Sequence, residues 1–168
     1  MTGSRSIVEI ANELFEYSNM FVEIRCDRAM PIPGFSLIEE DIHGLLKPVT
    51  VLNPELLRED PSVIAHVMAH EWGHHVLQHI SKTPACLGSD PALGSTAVER
   101  MGSRQAKENE ADAYAARFIK SHKYDPDAIM AFMREHPFDL ENRLQILMET
   151  TPTDEETRFD SQNSSVDS

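Results

Sequence analysis

Two cysteines in 168 residues, Cys26 and Cys86, cannot make a disulfide framework. Positive charge is also scarce. Fifteen Lys and Arg stand against 28 Asp and Glu, a formal net charge of -13, which argues against nucleic acid or an anionic membrane as principal partner. No apolar run approaches the roughly 18 residues that a bilayer-spanning helix needs, so membrane insertion is not expected. The opening stretch MTGSRSIVEIANELFEY is amphipathic and interrupted by Glu9, Glu13 and Glu16, unlike the apolar centre of a secretory leader. A cytoplasmic protein is the expectation. Internal repeats are missing as well. What remains, 40% hydrophobic and 26% charged residues, is enough for one globular domain with a real core.

Histidine is where the chain is rich. Ser62 to Ile80 reads SVIAHVMAHEWGHHVLQHI and contains an HExxH pattern formed by His70, Glu71 and His74. Residues four apart lie on one helix face, one turn apart. Two imidazoles can therefore close on a single metal ion, while Glu71, the next residue round, is aimed at a water on it. The stretch has helix signals: Asp60 as N-cap, Pro61 at the first helical position, and a stripe of Val63, Val67, His70, His74 and Leu77.

Around that helix, Ser6 to Tyr17 reads as an amphipathic helix with Ile7, Ile10, Leu14 and Phe15 facing inward. Phe21 to Cys26, Phe35 to Glu40 and Lys47 to Leu52 are strand candidates, with His43-Gly44 between the last two, and Glu55 to Arg58 a short turn. Pro84, Gly88, Pro91 and Gly94 mark a surface loop. A helix resumes between Ala97 and Ser103 and runs to about Ser121. Asp125-Pro126 opens another, to about Glu135. His136-Pro137 breaks it, and Asp139 caps a last helix to about Glu149. Residues 1–150 form the expected single domain. The polar, acidic stretch 151–168 is expected to be a disordered tail.

A catalytic zinc site needs three protein ligands and an open position. The third candidate is Glu108, in Glu108-Asn109-Glu110-Ala111-Asp112, with Glu110 or Glu99 as alternatives. Glu108, Asp112 and Ala115 or Ala116 share one side of their helix, and small residues there favour close packing against the HExxH helix. Asp112 can accept a hydrogen bond from a ligand imidazole, fixing its ring and raising its basicity.

HEWGHHVLQH, then ENEADAYAARF, then HPFDLENRLQIL together resemble the gluzincin metallopeptidases that include HtpX and the CAAX prenyl endopeptidases. The similarity runs from about Thr50 to Leu147. It implies an α+β, zincin-like domain in which a small antiparallel or mixed sheet packs beside a helical core carrying HExxH. It implies one zinc ion per chain held by His70, His74 and Glu108, with Asp112 behind them. The HP…R element of that family falls on His136, Pro137 and Arg143, with one residue more than the common spacing. The membrane helices of those enzymes are missing here. ImmA-type peptidases share the HExxH and a nearby Glu helix, but usually carry Asn where this chain has Asp112.

The implied activity is hydrolysis of peptide bonds in a protein or peptide substrate, with zinc-activated water and Glu71 as general base. Candidate donors to the oxyanion are His136, Arg143 and Tyr114. Val49 to Asn53 is the strand expected to pair with an extended substrate. The rival readings are a zinc-stabilised binding module that keeps the fold, and a protease latent until a partner opens its cleft. His66, His75 and His79 are expected to be structural or exposed, and Trp72 and Gly73 to be packing residues. Cys26 is expected to be a buried free thiol, with a zinc-blocking thiolate as the alternative.

Overall fold

Short capping signals set most of the element boundaries in the structure, a computed structural model that describes residues 5–80 and 97–136. Helix α1 (Ile7–Ser18) opens on a reciprocal cap: the Ser6 hydroxyl accepts from Glu9 N at 3.3 Å, and Ser6 N donates to Glu9 Oε2 at 2.6 Å. It closes on Asn19 in the left-handed region (φ 54°). Ile10 and Leu14 are fully buried. Phe15, expected to face inward, is 45% exposed, because it lies about 100° round the helix from Leu14.

Three strands follow: β1 (Glu23–Cys26), β2 (Gly34–Glu40) and β3 (Leu46–Leu52). The Asp41 carboxylate accepts from the backbone N–H groups of His43 and Leu45, and Gly44 takes φ 78°, so β2 and β3 form a hairpin. They pair antiparallel from Gly34 opposite Leu52 to Glu40 opposite Leu46. Strand β1 pairs parallel to the other edge of β3, from Glu23 opposite Val49 to Cys26 opposite Leu52. The sheet is mixed, in the order β1-β3-β2. Three strands with four α-helices among the described residues make the α+β architecture expected.

The topology corrects one expectation. Val49 to Leu52 lies in the central strand with both edges already paired, and Asn53 caps the 3₁₀ turn Pro54–Arg58. The segment from Val49 to Asn53 therefore has no free edge for a substrate; the outer strand beside the HExxH helix is β2. Cys26 is corrected too. It is exposed at the end of β1, not a buried thiol.

Helix α2 (Pro61–Val76) is capped by Asp60, whose carboxylate accepts from Ser62 N at 2.8 Å. From Ser62 to Gly73 every residue is buried, so α2 is a central helix rather than one with a wet face. It ends at Val76, four residues before the expected stop, on a left-handed Gln78 (φ 57°). Helix α3 (Ala97–Ser121) lies along it through the buried Ala111, Ala115 and Ala116. Gly73 of α2 sits directly under Tyr114 of α3. Helix α4 (Pro126–Glu135) is capped by Asp125, and Asp125 N donates to Ser62 Oγ at 2.9 Å, tying the two helix starts together. Trp72, Phe118, Ile10, Leu14, Leu52, Met68 and Ile129 fill the shared core. The expected loop from Pro84 to Gly94 with Cys86, the helix from Asp139 and the tail from Thr151 lie outside the described residues.

The α2–α3 approach yields a prediction. A Cβ at Gly73 would stand 3.0 Å from Tyr114 Cδ1 and 3.2 Å from its Cβ and Cγ. Rotating the buried ring cannot relieve contact with its own Cβ. Crowding of about 1–3 kcal/mol should outweigh the roughly 1 kcal/mol that Ala gains over Gly inside a helix. Gly73→Ala should lower the denaturation midpoint and weaken metal binding together, read by urea unfolding and metal titration.

Candidate metal centre

Two helices build the centre. The i, i+4 spacing of α2 stacks His70 and His74 with Nε2 atoms 3.1 Å apart. Glu108, on the facing side of α3, brings Oε2 to 3.2 Å from His70 Nε2 and Oε1 to 3.5 Å from His74 Nε2. The three residues form the group that could hold a metal ion among the described residues. A tetrahedral ion with bonds of about 2.0–2.1 Å places its ligand atoms about 3.3 Å apart. With one ligand atom taken from each residue, the three lie within 4.8 Å of one another, close enough to converge on one ion. Two imidazoles and a carboxylate also match the donors that zinc takes at sites with an open fourth position.

Asp112, one turn after Glu108 and 3% exposed, reaches His70 Nδ1 at 2.8 Å. An ionised carboxylate only accepts, so Nδ1 carries the hydrogen and Nε2 faces the cluster. Burial alone would lower the His70 pKa. The bonds to Asp112 and Glu108, with the Glu71 charge added, more than offset it and push the metal-free value up to about 9. Glu108 moves the other way: the His70 ring first, and the His74 ring after it, hold it well below the usual carboxylate range, against a smaller effect of burial.

Glu71 is 9% exposed and lies between α2 and β2. The Ser36 hydroxyl of β2 stands 2.5 Å from Glu71 Oε2 and 3.0 Å from Glu71 O. Its single hydrogen goes to the nearer, charged acceptor. Gly34, two residues earlier on the same face of β2, makes this approach possible. A Cβ there would lie 3.0 Å from both Glu71 Cγ and Val67 Cγ1. Neither Gly34 nor Ser36 was singled out from the sequence; the period-two alternation of a strand was the signal that could have done so.

Of the other expected residues, His79 touches His74 of the cluster, and Arg143 lies outside the described part. Tyr114 is buried against Gly73 and edge-on to Tyr17, its hydroxyl enclosed in the core. Burial pushes its pKa up to about 12. His136 is exposed at the end of α4, its ring stacked on Phe132 at 4.2 Å. Arg143 lies outside the described residues, as does the side chain of Glu99. Glu110 points away from the cluster to His79 Nε2, 2.7 Å off. His66 and His75 are buried, not exposed, and His75 Nε2 reaches the Val49 carbonyl of β3 at 3.1 Å. Burial lowers the His75 pKa. The His79 side chain is only 7% exposed, with Nδ1 3.1 Å from His74 Nδ1. Trp72 is buried and donates to Ser18 Oγ at 3.0 Å.

Two outcomes are expected on titration with zinc. Glu108→Ala should remove most of the affinity while His70 and His74 remain. In the native chain, a His70 pKa of about 9 means that metal must displace a proton at pH 7. Affinity should therefore fall on acidification and rise about tenfold per pH unit from about 7 to 9, one proton being released per ion bound. Competition with a chromophoric chelator across that range checks both. Comparison with protein-family models, curated proteins and solved structures finds no match.

Proposed function

We propose that this protein is a zinc-dependent endopeptidase with a zincin-like arrangement. The observation that carries the reading is a group of two imidazoles and a carboxylate that could hold one ion, with the buried Glu71 carboxylate next in the chain and close enough for its charge to act on His70. A purely structural zinc site is closed by four protein ligands and has no use for such a group. Burying a carboxylate is also costly unless something is gained from it.

Zinc held by His70, His74 and Glu108 would supply Lewis-acid activation of water and of a substrate carbonyl. The remaining chemistry belongs to the chain. Asp112 holds the His70 ring by Nδ1 and keeps its Nε2 directed at the cluster. Glu71 takes a proton from water on its carboxylate and passes it to the leaving amine. Ser36 fixes the direction of that carboxylate from the sheet side. Because β2 is an outer strand of the sheet among the described residues and touches Glu71, an extended peptide added along it would run beside the base. That geometry favours a flexible or unfolded protein segment as substrate. His136, exposed at the end of α4, and Arg143 are the residues that the family resemblance nominates to donate to the oxyanion.

The test is Glu71→Gln, which keeps the side-chain volume and all three ligands but removes the proton acceptor. Positioned acid–base groups contribute about 10²–10⁴-fold, roughly 3–5.5 kcal/mol of barrier. Turnover of a denatured protein substrate should fall at least a hundredfold while one zinc per chain is retained. A binding module would show no turnover in the native chain and unchanged partner binding in the variant. Equal cleavage by native and variant protein would refute Glu71 as the base.

A further inference from the structure

The turn that ends α2 also builds a second support for the metal centre. With Gln78 at φ 57°, Gln78 N donates to His75 O at 3.1 Å and His79 N donates to His74 O at 2.9 Å. This pair of bonds is a common way to satisfy the last carbonyls of a helix. It folds residue 79 back over residue 74, whereas a continuing helix would carry it about 140° further round the axis. An apolar contact usually joins the two side chains of such a turn. Here both are imidazoles, with Nδ1 atoms 3.1 Å apart and rings edge-on at 66°.

The far side of His79 is anchored on α3. Its Nε2 lies 2.7 Å from Glu110 Oε2, and its carbonyl accepts from Lys107 Nζ at 3.4 Å. Hydrogen directions then follow in sequence. The Glu110 carboxylate only accepts, so His79 carries a hydrogen on Nε2. One hydrogen joins the two Nδ1 atoms, and with the His79 hydrogen already on Nε2 it comes from His74 Nδ1. That leaves the lone pair of His74 Nε2 to accept from the His70 Nε2–H, 3.1 Å away, and to serve a metal as ligand.

We infer that Glu110 and His79 form a hydrogen-bonded relay that fixes the tautomer and ring orientation of His74, making His79 a positioning residue of the metal centre. Asp112 serves His70 directly; Glu110 serves His74 through one intervening ring. The inference rests on the metal-site reading given above, and it concerns hydrogens that are present before any metal binds.

Long-range proton–nitrogen spectra of the metal-free full-length chain read which ring nitrogens are protonated. His74 should carry hydrogen on Nδ1 only and His79 on Nε2 only. Glu110→Ala and His79→Leu should each give His74 a mixture of tautomers and weaken zinc(II) affinity ten- to hundredfold, the usual cost of losing an outer hydrogen-bond partner. Should His79→Leu fail to fold, Glu110→Ala carries the test, since that side chain is 62% exposed. A chain that binds zinc but holds its His74 hydrogen on Nε2 when metal-free overturns the relay while leaving the metal centre standing. So does a His74 tautomer, or a zinc affinity, unmoved by Glu110→Ala. The stated tautomers in a native chain that binds no zinc would overturn the metal centre and leave the relay.

Discussion

The candidate centre depends on how closely α2 and α3 approach. Two of its three ligands belong to one helix and the third to the other, so the cluster exists only while the backbones stay near enough for short side chains to converge. Glycine and alanine set that distance. Gly73 accepts the Tyr114 ring almost against its backbone, and Ala111, Ala115 and Ala116 present little bulk along the seam. Small residues that look unremarkable in a composition table thus fix the position of Glu108 as firmly as any polar contact does.

A helix buried on all sides yet carrying His70, Glu71 and His75 needs partners for those groups, and they come from different neighbours. Strand β2 gives Ser36 to Glu71, β3 gives a carbonyl to His75, and α3 gives Asp112 and Glu108 to His70. The acidic run of α3 is divided in function. Glu108 faces both imidazoles, Asp112 braces one from behind, and Glu110, on another side of α3, reaches the turn that follows α2. Three carboxylates within five residues would repel one another in isolation. Here each has an imidazole opposite it.

Much of this was legible in the sequence, because the signals were local. Asp60-Pro61 and Asp125-Pro126 are cap-and-first-turn pairs whose chemistry acts within three residues, and both open helices. The i, i+4 spacing of His70 and His74 is a property of the helix itself. What escaped was set by tertiary geometry or by an unusual stop. The central place of β3 follows from the parallel docking of β1, which no strand pattern encodes. Cys26 ended exposed because its strand is short and pairs only at one edge. The end of α2 was missed because Gln78 takes a left-handed conformation that glycine or asparagine usually marks. Helical spacing pairs His79 with His75; the reversing turn pairs it with His74 instead.

Strand β2 also bears on the solubility of the chain. Among the described residues it is the outer strand of the sheet on the hairpin side, and it carries Phe35, which is 48% exposed. A row of unpaired backbone groups beside an aromatic side chain is a template for any extended segment, including the same segment of a second molecule. Glu39 is held bidentately by Arg25 of β1, and the exposed Glu40 closes the strand with negative charge, the kind of gatekeeping that discourages edge-to-edge stacking. The strongly acidic chain as a whole adds mutual repulsion between copies. Colloidal stability should therefore be most vulnerable where salt screens those charges, and the edge proposed above for a substrate is the same edge that must be kept from its own kind.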